Sequence, residues 1–202
     1  MVREGLEARI NQEPDMEVCG LAEDAQHAMQ LVEQVKPDLV ITDLSLEGKP
    51  GLELVKDLGR AHPDLPVIVL SIHDENLWAE RVLRAGAEGY IMKSQATQKV
   101  IDAIRQVLGG GIWVSEHVNS MLLQKVARGG VGSRGSPLDP LSDRELEIFH
   151  MIGTGLRLRE IAVKLFLSMK TVEVHREHIK EKLGVKSSAD LIRYAVTHNL
   201  GV

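Results

Sequence analysis

Three short runs of β-favouring residues constrain this chain most: Leu39-Val40-Ile41-Thr42, Val67-Ile68-Val69-Leu70 and Gly89-Tyr90-Ile91-Met92. Apolar runs without polar alternation are strands buried on both faces. After each run the period changes, and residues 51–58, 78–85 and 100–108 carry apolar side chains at helical spacing. Upstream, residues 6–10 and 25–35 read as amphipathic helices, the second with Ala28, Leu31, Val32 and Val35 on one face. Residues 16–21 read as a further short strand. Strands alternating with helices build a doubly wound parallel sheet, the α/β class.

The polar residues at the ends of these runs carry the chemistry. Asp43, Ser71 and Lys93 come directly after the three apolar segments. An open parallel sheet binds its ligands beyond the carboxyl ends of its strands. Three strands therefore deliver a carboxylate, a hydroxyl and an ammonium to one rim. A carboxylate can be a nucleophile toward a phosphoryl donor. A lysine can neutralise the added phosphate, and a hydroxyl can hydrogen-bond it.

The α/β pattern stops at a Gly-, Ser- and Pro-rich stretch, residues 127–137, which reads as a linker. Charge divides there too. Residues 1–126 carry a formal charge of −8, and residues 137–202 carry +1. The composition, 44% hydrophobic and 26% charged, is that of a folded globular chain and excludes a disordered or collagenous one. No apolar run reaches the ~20 residues needed to cross a bilayer, and the first residues lack a signal-peptide layout. The expectation is a cytoplasmic protein with no membrane partner. Cys19, the only cysteine, is expected to be a small buried strand residue.

Beyond the linker the pattern is helical throughout. Ser142 with Glu145 three residues on is a capping box, and Leu146, Phe149 and Ile152 lie beyond it on one face. Residues 158–166 form a second helix, and Ser168 caps a third that runs from about residue 169 to 183, stopped by Gly184. A fourth spans residues 189–199. The third helix turns Val172, His175 or Arg176, Ile179 and Leu183 inward, which leaves Lys170, Glu173, Val174 and Glu177 outward. Two helices joined by a tight turn, the second with a polar outer face, have the helix-turn-helix shape. His175 and His178 have no third ligand in view and read as helix-face residues rather than a metal site.

These residues carry a resemblance. Lys36-Pro37-Asp38-Leu39-Val40-Ile41-Thr42-Asp43-Leu44, Val67-Ile68-Val69-Leu70-Ser71 and Ala85-Gly86-Ala87-Glu88-Gly89-Tyr90-Ile91-Met92-Lys93 resemble the receiver domain of bacterial response regulators, a flavodoxin-like fold. Leu141-Ser142-Asp143-Arg144-Glu145, Glu160-Ile161-Ala162, residues 167–175 and Lys182-Leu183-Gly184 are similar to the LuxR-type helix-turn-helix. Together they resemble the NarL/FixJ class, with a receiver over 1–117, a connecting helix and linker over 118–137 and a DNA-binding domain over 138–202. The resemblance implies Asp43 as phosphoacceptor, with Ser71, Lys93 and Tyr90 as the residues that respond to the phosphate. It implies a sensor histidine kinase and double-stranded DNA as partners, and a homodimer on DNA. The expected DNA-facing residues are Lys170, Thr171, Glu173, Val174, His175, Arg176, Glu177, Lys180 and Lys182. Leu191, Ile192, Ala195 and Val196 are the expected pairing surface.

The chain departs from that family in two places. Many receivers have a proline four residues after the acceptor, where this chain has Glu47. More seriously, receivers open with a strand ending in an acidic pair, and those acids hold, with the acceptor, the Mg²⁺ that phosphorylation uses. This chain opens at Met1-Val2-Arg3-Glu4-Gly5-Leu6, already helical in pattern. The first expectation is a shortened chain. A degenerate receiver that works without phosphate is the second, and a strand supplied by a partner the third. An aspartyl-phosphate hydrolase would want a second acid near Asp43, and neither Leu44 nor Ser45 supplies one. A small-molecule sensor would need an aromatic-lined pocket, and residues 1–126 hold only Trp78, Trp113 and Tyr90 as aromatics. The reading is therefore a phosphorylation-controlled transcription regulator rather than an enzyme.

Overall fold

The computed structural model describes residues 2–46, 50–127 and 137–199. The chain divides into two units, Met1–Ala127 and Arg128–Val202. Most of the linker expected over 127–137, and Glu47 with its loop, lie outside the described residues.

The first unit is built on a parallel sheet of β1 (Val40–Asp43), β2 (Val67–Ser71) and β3 (Gly89–Met92), in the order β1-β2-β3. Val40 pairs with Val67 and Asp43 with Leu70; Ile68 pairs with Gly89 and Ser71 with Met92. The helices are α1 (Val2–Ile10), α2 (Ala25–Val35), α3 (Gly51–Ala61), α4 (Glu75–Arg84), α5 (Ala96–Leu108) and α6 (Glu116–Ala127). Every residue of β2 is buried, as the uninterrupted run requires. Its side chains alternate between faces. Ile68 and Leu70 join Leu6 and Ile10 of α1 and Val100, Ile101 and Ile104 of α5 in one core. Val67 and Val69 point to the opposite face. The buried stripes of α3 and α4, including Leu52, Val55, Leu58, Trp78 and Val82, supply much of the rest of this unit's core.

Residues 16–21 correct the sequence expectation. They form no strand. Cys19, expected to be buried, is exposed. A strand exists by its ladder, and the sheet ends at β1 with no neighbour for this segment among the described residues. The segment is held by Asn11, whose Oδ1 accepts from the Val18 N–H at 2.8 Å, while Met16 and Val18 pack against the core.

Gly51 opens α3 at a point of very close approach. A Cβ there would lie 1.9 Å from the Asp43 carbonyl oxygen and 2.8 Å from that of Leu44. The Gly51 N–H donates to the Leu44 carbonyl at 2.8 Å. The helix start is thus seated directly on the end of β1.

The second unit holds α7 (Asp143–Gly153), α8 (Leu158–Lys164), α9 (Met169–Leu183) and α10 (Ser188–Asn199). The capping box at α7 is formed in both directions. Glu145 is buried, yet its Oε2 accepts from the Ser142 N–H at 2.7 Å and from Lys182 Nζ at 2.6 Å. Burial pushes this carboxyl up, but the hydrogen bonds from Lys182 and Ser142 outweigh it and hold it below the usual carboxylate range. One side chain therefore caps α7 and pins the far end of α9. Ser168 caps α9 by accepting from the Thr171 N–H at 3.0 Å, and Gly184 ends the helix at φ +66°.

Gly51→Ala is expected to cost about 1–3 kcal/mol by overpacking, read from urea unfolding by the fluorescence of Trp78 and Trp113. The Glu145 carboxyl is depressed by folding, so its contribution is whole at neutral pH and is lost as pH falls through the depressed value. Hydrogen-exchange protection of α7 and α9 should drop over that acid range in the native chain and change little with pH in Glu145→Gln.

Candidate functional site

The strand order places the polar residues. Asp43 ends β1, Ser71 ends β2 and Lys93 lies just beyond β3. The Lys93 N–H donates to the Ser71 carbonyl at 2.7 Å, which fixes the exit of β3 beside the end of β2. From there Lys93 Nζ reaches Asp43 Oδ2 across the central strand. Asp43 Oδ1 accepts from the Ser45 N–H at 3.0 Å. Both carboxylate oxygens thus have donors, and the group keeps 29% side-chain exposure, enough to meet a reagent.

Ser71 and Tyr90 come to the same rim but do not touch Asp43. Ser71 is fully buried, and its Oγ accepts from the His73 N–H at 2.9 Å. Tyr90 is turned inward, and its hydroxyl donates to the His73 carbonyl at 2.8 Å. Burial pushes the phenol well above its ordinary value, so it stays a protonated donor. Sequence reasoning misses His73. Its Nε2 lies 3.2 Å from Ser45 Oγ, and its ring stacks on Trp78 with centroids 5.4 Å apart. It joins the loop after Asp43 to the backbone that holds Ser71 and Tyr90. A polar residue two positions after Ser71 is the one signal the sequence offers for it.

The Mg²⁺ implied by the receiver family does not fit the described residues. Mg²⁺ wants oxygen ligands in near-octahedral order. Asp43 is engaged by Lys93 and Ser45, and no group of three or more His, Cys, Asp or Glu able to hold a metal is present among the described residues.

In the second unit α9 presents the ridge expected of it. Lys170, Glu173, Val174 and Glu177 are exposed, and Val172 and Ile179 are fully buried. Other expected contacts have work inside the unit. Thr171 Oγ1 lies 2.7 Å from Ser168 Oγ, within the cap. His175 is half-buried, and burial lowers its pKa. Lys180 Nζ and Arg176 Nη2 both pair with Glu177, at 2.7 and 3.2 Å. Lys182 is committed to Glu145. The pairing surface on α10 is narrower than the sequence suggests. Leu191 and Ala195 have no exposure, because α10 packs on α7, and they are core. Ile192 is 49% exposed and Val196 is half-buried, so these two carry what outward apolar surface the four offer.

Comparison with known proteins places both units in known families. Residues 1–105 match the response regulator receiver domain family, and residues 139–195 match the bacterial regulatory proteins of the luxR family. The oxygen regulatory protein NreC of Staphylococcus carnosus is 37% identical over 99% of this chain and 94% of its own length. The same holds for NreC of Staphylococcus aureus. Among solved structures, RcsB from Salmonella enterica serovar Typhimurium, bound to promoter rprA in the presence of a phosphomimetic, is 27% identical with a TM-score of 0.59. That likeness covers 96% of this chain and 92% of RcsB. With a receiver match over more than half of its length and relatives matched nearly end to end, the chain belongs to the two-component response regulators of the NarL/FixJ class.

Proposed function

We propose that this chain is a DNA-binding transcription regulator switched by a phosphoryl group on Asp43, and that it has no enzymatic activity of its own. The observation that carries the reading is the Lys93–Asp43 pair at the carboxyl rim of a parallel sheet. The donor is the phosphohistidine of a sensor kinase. Asp43 attacks phosphorus, the P–N bond breaks, and an acyl phosphate forms. Lys93 passes from the carboxylate to the phosphate oxygens. The Ser71 hydroxyl leaves the His73 N–H to hydrogen-bond the phosphate, and Tyr90 responds through the same His73 backbone.

The receiver spans 1–117 and the linker region 118–137, and residues 138–202 bind double-stranded DNA in the cytoplasm. Two copies pair on a two-fold site through Ile192 and Val196. A recognition helix reads bases with the N-terminal part of its outer face. Lys170 meets phosphate or a purine edge, Val174 a thymine methyl, and Glu173 a cytosine amino group.

A second reading is a regulator that works without phosphate. It is favoured by the Asp43 carboxylate being already engaged by Lys93 and Ser45, with no group of three or more His, Cys, Asp or Glu able to hold a metal among the described residues.

Intact mass after incubation with acetyl phosphate and Mg²⁺ separates the two. A gain of one phosphate, lost in Asp43→Asn, is expected; an unchanged mass would favour the second reading. Val174→Ala should relax base preference at one position by about 1 kcal/mol, measured by binding to a panel of single-base operator variants, with affinity elsewhere unchanged.

A further inference from the structure

The outer ridge of α9 is acidic. Residues 170, 173, 174, 177 and 181 succeed one another at helical spacing, and all five are exposed. Lys170 is the single cation among them, against Glu173, Glu177 and Glu181. Double-stranded DNA carries about one negative charge per 1.7 Å of axis, so this ridge is repelled by the surface it must enter. The cations flanking it offset that repulsion, but in the free protein each is engaged by a carboxylate and not extended toward a phosphate. Arg176 and Lys180, four residues apart on one flank of the helix, both pair with Glu177, at 3.2 and 2.7 Å. Lys182 is pinned to the buried Glu145. Glu177 therefore does two things at once. It adds a negative charge at the centre of the ridge, and it occupies two of the cations that would otherwise meet phosphate.

Glu177 is exposed, and Arg176 and Lys180 keep 27% and 17% of their side-chain surface open; pairs that still meet solvent are weak, so a phosphate can take either cation. The cost falls on the carboxylate left behind, which needs a new donor in the groove. The cytosine N4 amino group is the donor that the major groove offers a carboxylate. Building on the DNA-binding reading above, we infer that Glu177 is a specificity-determining residue. Over a site that presents a cytosine amino group, Glu177 exchanges Arg176 and Lys180 for that base, and the two cations pass to flanking phosphates. Over any other sequence Glu177 keeps both cations, and the duplex is held weakly.

The experiment uses the full chain, with and without acetyl phosphate. Native protein enriches a duplex from a random pool, and binding is then measured over a series of KCl concentrations on that duplex and on a random duplex of equal length. Glu177→Gln should tighten binding to the random duplex, with a salt slope steeper by about 1–2 as two phosphate contacts are gained. The ratio of enriched to random affinity should fall by about tenfold, and the preference for C·G at one position of the enriched site should disappear. Glu181→Gln removes a charge from the same ridge and should strengthen both duplexes by one small common factor. Equal tightening of both duplexes by Glu177→Gln, or the same behaviour in Glu181→Gln, would overturn the assignment. Failure of the native chain to bind either duplex would remove the DNA reading itself, and this inference with it.

Discussion

The ion pair between Lys93 and Asp43 is the contact around which the first unit is arranged. β1 and β3 are not neighbours; β2 lies between them, so their axes are about 9–10 Å apart. Only a long side chain can close that gap, and only if both strands end at one level. The register supplies this, with Asp43 opposite Leu70 and Met92 opposite Ser71. The buried β2 run, the glycine seat of α3 and the Lys93 N–H to Ser71 bond all serve to keep those ends level.

Much of this is legible because burial writes itself into sequence. A strand covered on both faces has to be apolar, and Val67–Ser71 could be nothing else. The caps at Ser142, Ser168 and Gly184 are equally readable, since a helix end has few chemical solutions. Residues 16–21 mislead because a strand needs a ladder partner, and local residue preference carries no record of whether one is present. Leu191 and Ala195 read as partner surface because a period shows which residues share a face but not what covers it. His73 escapes notice for a related reason: its role depends on Ser45 and Tyr90, which are near it only in the fold. The commitment of Lys182 to Glu145 joins residues 37 apart and is invisible for the same cause.

The two units handle charge in opposite ways. In the second, Glu145 is buried and fully supplied with donors, so its partner is fixed and orders α7 against α9. Removing one member of such a pair strands the other, which makes it structural. Glu177 on α9 is exposed and shared between Arg176 and Lys180, and a pair that meets solvent can be exchanged. The rim of the first unit lies between these cases. Asp43 and Lys93 are each about one-quarter exposed, dry enough for their attraction to count and open enough for it to be redirected.

β1 stands at the edge of the sheet, with one side unpaired among the described residues. A row of backbone donors and acceptors with no ladder partner is a template on which any extended chain can register, including a neighbour's. Valine and isoleucine in the strand favour such pairing, and among the described residues no strand pairs along that side. Two features work against runaway stacking: the strand is four residues long, and it ends on a carboxylate. An edge of this kind offers four residues of ladder and no more, so a strand that registers on it gains only a short run of bonds and makes a joint that depends on concentration.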